Sequence, residues 1–210
     1  MTEDEANATT DFAGNLAFVK ALVTDGGRAQ ATGGAAFLAA GLCYGIQCLV
    51  QYGQIRGWVP ASPVLFLTSA IGPSVIFAAL LSVILWRGRG QVAHGVATRA
   101  LNATYASAGL ANLFMVFVFG YNAFTQKSLA IWFYYPCVVC AFQGAVWYVA
   151  YMIRRKVWLA FVSAGWFVTT VALGLTLRDM PTYVLILGLA LTFLMGGSGW
   201  FMMHQARKAV

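Results

Sequence analysis

The sequence predicts an all-α membrane protein. It should be a bundle of six transmembrane helices in three consecutive helical hairpins, N-in and C-in, with a short N-terminal interfacial helix. Three observations predict it. The 210-residue chain is 60% hydrophobic and only 9% charged, whereas soluble domains carry about a quarter charged residues. Six apolar runs, near 33–52, 64–86, 100–121, 129–153, 157–177 and 182–203, contain no Asp, Glu, Lys or Arg. Each is about the ~20 residues that cross a bilayer. Lys and Arg gather in alternate connections, as in a chain that keeps its basic loops in the cytoplasm.

Residues 1–31 read as a cytoplasmic tail. Its start, Met-Thr-Glu-Asp-Glu, is acidic and lacks the basic n-region of a cleaved signal peptide, so the first span is expected to be a retained anchor. Phe12, Leu16, Val19 and Val23 recur at helical spacing. They predict an amphipathic helix over about 12–23, lying on the membrane surface or packed against the bundle ends. Asp25-Gly26-Gly27-Arg28 ends it.

Residues 32–210 form one six-span domain. In hydrocarbon every backbone group must be paired within the segment, so the runs are helices. The alternating polarity of a membrane barrel is absent. The N-in, C-in arrangement puts Lys20, Arg28, Arg87, Arg89, Arg99, Arg154, Arg155, Lys156, Arg207 and Lys208 inside. It leaves Arg56, Lys127 and Arg178 outside. That asymmetry sets the orientation, and the expected location is a bacterial inner membrane, with the lipid bilayer as the surrounding partner. Trp58, Trp132, Trp147, Trp158 and Trp200 lie toward span ends, as interface anchors do. The net charge of +7 sits in short loops rather than on a basic face with interleaved aromatics, which argues against nucleic-acid binding.

The spans' lack of ionisable groups excludes most membrane chemistry. Proton relays, ion-coupled pumps and voltage sensors require intramembrane charge. Carboxylate acid–base catalysis requires carboxylates. His94 lies in a basic loop and His204 at the last cytoplasmic rim, so the two cannot hold a haem across the bundle, and no His/Asp/Glu cluster could hold zinc. No phosphate loop or nucleophile elbow occurs. The expectation is a protein without catalytic apparatus, cofactor or metal.

Neutral polar residues fall near the span centres instead. Tyr44, Ser74, Asn112, Gln143, Thr169 and Thr192 are expected at similar depth. They could line a cavity for a neutral or amphipathic solute, or hydrogen-bond helix to helix at ~0.6 kcal/mol per contact. Gly41-x-x-x-Gly45 permits close helix approach, within the bundle or in a homo-oligomer. Gly72-Pro73 should kink the second span, and Gly196-Gly197-Ser198-Gly199 should loosen the sixth. Ala-Ala-Gly-Leu at 39–42, Ser-Ala-Gly-Leu at 107–110 and Ser-Ala-Gly-Trp at 163–166 suggest a repeat. So does the gapless match of Gly144 to Arg155 with Gly197 to Lys208.

The fourth run carries the only Cys-x-x-Cys, within Tyr135-Pro136-Cys137-Val138-Val139-Cys140. A helix beginning at Pro136 would put Cys137 in its first turn, where the helix dipole favours thiolate. One continuous helix would leave both thiols packed and inert. The Pro-Cys-x-x-Cys resembles that at a span start in the disulfide bond formation protein B family. The Cys-x-x-Cys of the vitamin K epoxide reductase family is similar. The resemblance implies thiol–disulfide exchange by Cys137 and Cys140 with a quinone as electron partner. The chain departs from it in having Gly144 where a basic residue is expected, and in placing Cys43 and Cys48 inside the first span.

The functional expectation follows from these absences. The protein binds or passes a neutral or amphipathic small molecule, or serves as a membrane partner or regulatory subunit of another protein. The alternative is a membrane thiol–disulfide oxidoreductase.

Overall fold

The computed structural model describes residues 30–60, 62–89 and 96–208; the tail helix expected over 12–23 lies outside them. The described chain is helical, without strands. Its elements are α1 (Gln30–Ile55), α2 (Pro63–Arg87), α3 (Val96–Thr125), α4 (Leu129–Arg154), α5 (Val157–Leu175), α6 (Met180–Ala190), a π-helical turn pair (Leu191–Gly197) and α7 (Ser198–Lys208). The last three form one rod, so among the described residues six helices are long and apolar enough to cross a membrane. The helices overrun the charge-free runs at both ends. α3 starts at Val96 and α7 ends at Lys208, because polar residues at the interface remain competent to continue a helix.

Local chemistry sets the ends. Ser62 caps α2 by accepting from the Leu65 N–H at 3.1 Å, with Pro63 in the first turn. Asp179 caps α6 the same way, and Pro181 again falls where a missing N–H costs least. Arg155 takes a left-handed conformation (φ 54°) after α4 and returns its N–H to the Tyr151 carbonyl at 2.7 Å. This allows α5 to begin two residues later.

α4 sits at the centre. It packs along α3 and α5. It touches α1 through Phe37 and Trp147, whose rings lie 5.2 Å apart. It meets α6 where Tyr183 donates to the Phe133 carbonyl at 2.7 Å. Ser163 of α5 donates to the Gly144 carbonyl at 2.8 Å, a buried helix-to-helix bond. α2 is peripheral, held by Tyr44 against Phe77 and by Gln47 donating to the Ala70 carbonyl. Among the described residues the candidate-span windows of α2 and α3 contain none that is buried, and their exposed side chains are those a bilayer would cover.

Trp147 is not an interface anchor. It is fully buried, among Phe37, Tyr105 and Trp158. Trp58 and Trp200 are exposed, as expected of anchors. The suggested repeat does not translate into a shared role. A side chain at Gly109 would meet open space, whereas one at Gly165 would strike Leu194 and one at Gly41 the backbone of the sixth span. Trp147 and its matched Trp200 occupy opposite environments.

α1 and the sixth span approach through glycine. Gly34, Gly41 and Gly45 are all buried and share one face. Opposite them stand Gly188, Thr192, Gly196 and Gly199. A Cβ on Gly41 would lie 2.7 Å from the Leu191 carbonyl oxygen and would overlap Gly196. The π-helical stretch falls at this closest approach. Gly196 and Gly197 close the π-helical stretch, and the missing side chain of Gly41 admits the backbone of Gly196. α2 continues through Gly72-Pro73 as one helix.

Candidate functional site

The six mid-depth polar residues do not converge. Ser74 is exposed. Thr169 and Thr192 spend their hydroxyls on their own helices, donating to Gly165 and Gly188 carbonyls at 2.8 Å each. Thr192 also fills the space left by Gly45. Tyr44 packs against Phe77 with the rings tilted and their centroids 5.4 Å apart. Asn112 crosses helices: its Oδ1 accepts from the Tyr135 hydroxyl at 2.9 Å, tying α3 to α4. Tyr135 was not in the expected set. Its neighbours Trp132 and Phe119 form an aromatic wall around it, and such clustering was the signal that could have found it.

Gln143 differs from the rest. Among the described residues its buried Oε1 has no partner, and neither does the indole N–H of Trp147 one turn later on α4. An unpaired acceptor and an unpaired donor thus sit four residues apart in the packed centre. Orphaned polar atoms of this kind usually mark a bound water, strain or function.

The thiols lie in one continuous helix, so Cys137 is not in a first turn. α4 begins at Leu129 and runs through Pro136. The proline removes the N–H that would pair the Trp132 carbonyl, and its ring crowds the preceding turn. Beside it the Phe133 carbonyl accepts from Tyr183 and, at 3.7 Å, from the Cys137 thiol. Cys137 is half-buried and Cys140 is 1% exposed. Cys48 joins Cys140 in the core cluster, and Cys43 is half-buried; all four are free thiols. Among the described residues no group of three His, Cys, Asp or Glu side chains is placed to hold a metal ion.

Two open clefts lie along the α3–α4 seam. The larger, about 690 Å³, is at the Lys127 end of the bundle. Phe124, Leu129 and Trp132 form apolar walls, Gly120 leaves room between them, and Lys127, Thr125 and Ser128 stand at the rim. The smaller, about 340 Å³, lies between Ala108, Ala111 and Ala145 near mid-depth. There the small side chains leave the seam open. Lys127 adopts φ 49° in the three-residue turn between the helices. The extent of this seam was invisible in the sequence, where Gly120 and the three alanines look like ordinary span residues.

Charge divides the bundle. One end carries Arg87, Arg89, Arg99, Arg154, Arg155, Lys156, Arg207 and Lys208, with no acid among the described residues. Contacts there join the start of α1 to the ends of α4 and α7 and to Gly88. The opposite end carries Arg56, Lys127, Arg178 and Asp179. No family model matches the chain, and no curated protein and no solved structure is significantly similar to it.

Proposed function

We propose that the protein is a non-catalytic membrane protein that takes an amphipathic molecule laterally from the bilayer into the cleft between α3 and α4. The cleft at the Lys127 end is the observation that carries this reading. Its apolar walls suit a chain or ring, and the Lys127 ammonium at the rim suits a carboxylate, phosphate or carbonyl head. Passage of a solute along the bundle axis has less support, because Thr169 and Thr192 bond within their own helices and Ser74 faces outward. A second reading, a regulatory subunit docked on a partner, draws on the exposed face of α2 and α3.

Photolabelling tests the first reading. A diazirine-bearing lysolipid, added to membranes containing the protein, should cross-link mainly within residues 120–132. Filling the cleft by Gly120→Phe should lower that labelling about tenfold, the loss expected from ~1.4 kcal/mol of binding. Labelling spread evenly over the exposed faces, and unchanged by Gly120→Phe, would remove the support for a site.

We further place the chain in a bacterial inner membrane with the basic end cytoplasmic. Eight cations against three among the described residues support that orientation. A membrane-impermeant maleimide on intact cells tests this together with the thiol alternative. In a background lacking native cysteines, Lys127→Cys should label at once and Lys156→Cys only after permeabilisation. The native protein should stay unlabelled before and after reduction, because Cys48 and Cys140 are buried and Cys43 and Cys137 lie within the apolar spans, out of reach of a membrane-impermeant reagent. Labelling of Lys156→Cys in intact cells would reverse the orientation. A reduction-dependent signal that needs both Cys137 and Cys140 would favour the oxidoreductase, with a quinone as its electron partner.

A further inference from the structure

The geometry points to a binding site for an anionic phospholipid headgroup at the basic end, formed by Arg154 and Lys156 on a platform of Gln30 and Gln205. The site lies at the opposite end from the α3–α4 cleft and does not depend on it.

Four side chains from α1, α4, the α4–α5 link and α7 form one connected network. Arg154 donates through Nη1 to Gln30 Oε1 at 2.8 Å. Gln30 donates through Nε2 to the Met202 carbonyl at 3.3 Å and to Gln205 Oε1 at 3.4 Å. Lys156 donates through Nζ to the same Gln205 oxygen at 3.3 Å. The network holds two full positive charges, and its acceptors are neutral carboxamides and a backbone carbonyl. Among the described residues, no partner in the network neutralises the cations.

Spare donors remain. A guanidinium has five N–H donors and an ammonium three, and among the described residues the contacts above engage one of each. Arg154 is half-buried, so solvent compensates its charge only in part. The left-handed turn at Arg155 reverses the chain between the two cations and carries Lys156 back over the end of α7. Two cations held from neutral supports suit a phosphodiester, whose unesterified oxygens can meet a guanidinium fork and an ammonium together.

The surroundings favour a lipid over a free anion. Exposed Met152 lies just before the cations on α4, and exposed Val157 and Phe161 follow them on α5. Acyl chains below the headgroup would cover this apolar surface. Each basic residue near a membrane surface adds attraction to anionic lipid, and the other cations at this end would raise the local lipid concentration without forming the site.

Native mass spectrometry of the full-length protein, released from detergent with defined lipids, provides the test. Dioleoyl phosphatidylglycerol should be retained about thirtyfold better than dioleoyl phosphatidylcholine, the scale expected of two such cations. Arg154→Gln with Lys156→Gln should abolish that preference. Lys156→Gln alone, at an exposed position outside the helices, should reduce it severalfold without threatening the fold. Arg207→Gln with Lys208→Gln removes the same charge from the same end and should leave most of the preference intact. Equal losses from the two double variants would overturn the site in favour of diffuse attraction. Inorganic phosphate displacing the lipid at equal concentration would overturn the assignment to a phospholipid. So would equal retention of the two lipids by the native protein.

Discussion

Gly41→Leu should prevent the protein from accumulating as a folded bundle, while Gly109→Leu should leave it intact. Both glycines precede a leucine in an Ala-Gly-Leu triplet. Gly41 is buried against the π-helical stretch, and any Cβ there meets Gly196 and the Leu191 carbonyl. Those obstacles are backbone, which cannot rotate away as a side-chain end can. α1 would have to move off the sixth span, separating Gly34 from Gly199 and Gly45 from Thr192 along the same face. Without a hydrophobic force between helices in lipid, close packing of this kind is much of what holds a bundle together. Overpacking typically costs ~1–3 kcal/mol, and a clash with backbone at a shared seam belongs at or above the upper end. Gly109 has nothing within 4 Å of its Cβ position and is exposed. A leucine there removes a weak helix former and gains up to ~1 kcal/mol of propensity. Resistance to unfolding in a graded anionic detergent is the measurement. Equal behaviour of the two variants would show that the α1 seam does not hold the bundle.

The contrast between these glycines also shows what a sequence of this type can disclose. Charge-free runs, cap residues such as Ser62 and Asp179, and basic connections mark the six helices, because bilayer thickness and backbone pairing act on each segment alone. Which face a helix turns inward is another matter. In a soluble protein the polar face identifies the solvent side. Here lipid and core are both apolar, so Trp147 in the core and Trp200 on the surface sit in matching sequences, and Gly41 and Gly109 look alike. Pairings that depend on side-chain reach were equally hidden. Asn112 was recognisable as a mid-span amide, but nothing in its neighbourhood named Tyr135 as its donor. The Cys-x-x-Cys was conspicuous, yet Pro136 falls inside α4 rather than at its start, because preceding residues from Leu129 continue the helix in an environment that forbids unpaired backbone. The cation–carboxamide network is legible only in three dimensions, since Gln30 and Gln205 lie at opposite ends of the chain.

Trp147→Ala should be strongly destabilising and Trp147→Phe nearly neutral, although both remove the indole. The ring is fully buried. It packs with Phe37 at 5.2 Å, Trp158 at 5.9 Å and Tyr105 at 6.1 Å between centroids, joining α1, α3, α4 and α5. Alanine would empty that junction, and truncating a buried tryptophan costs ~3–5 kcal/mol where the surroundings cannot close. Aromatic pairing adds ~0.5–1.5 kcal/mol per contact beyond area, so losing three contacts keeps the cost near the top of that range. Phenylalanine keeps one ring in the junction and loses part of the volume. It also removes the N–H that finds no acceptor among the described residues, and relief of an unpaired buried donor returns ~1–3 kcal/mol. The two changes oppose each other and should nearly cancel. Thermal unfolding in detergent, followed by the remaining tryptophan emission, measures both variants. If phenylalanine costs as much as alanine, the indole N–H has a partner after all. An ordered water shared with the unpaired Gln143 oxygen would then be the first candidate, and Gln143→Leu should produce a comparable loss.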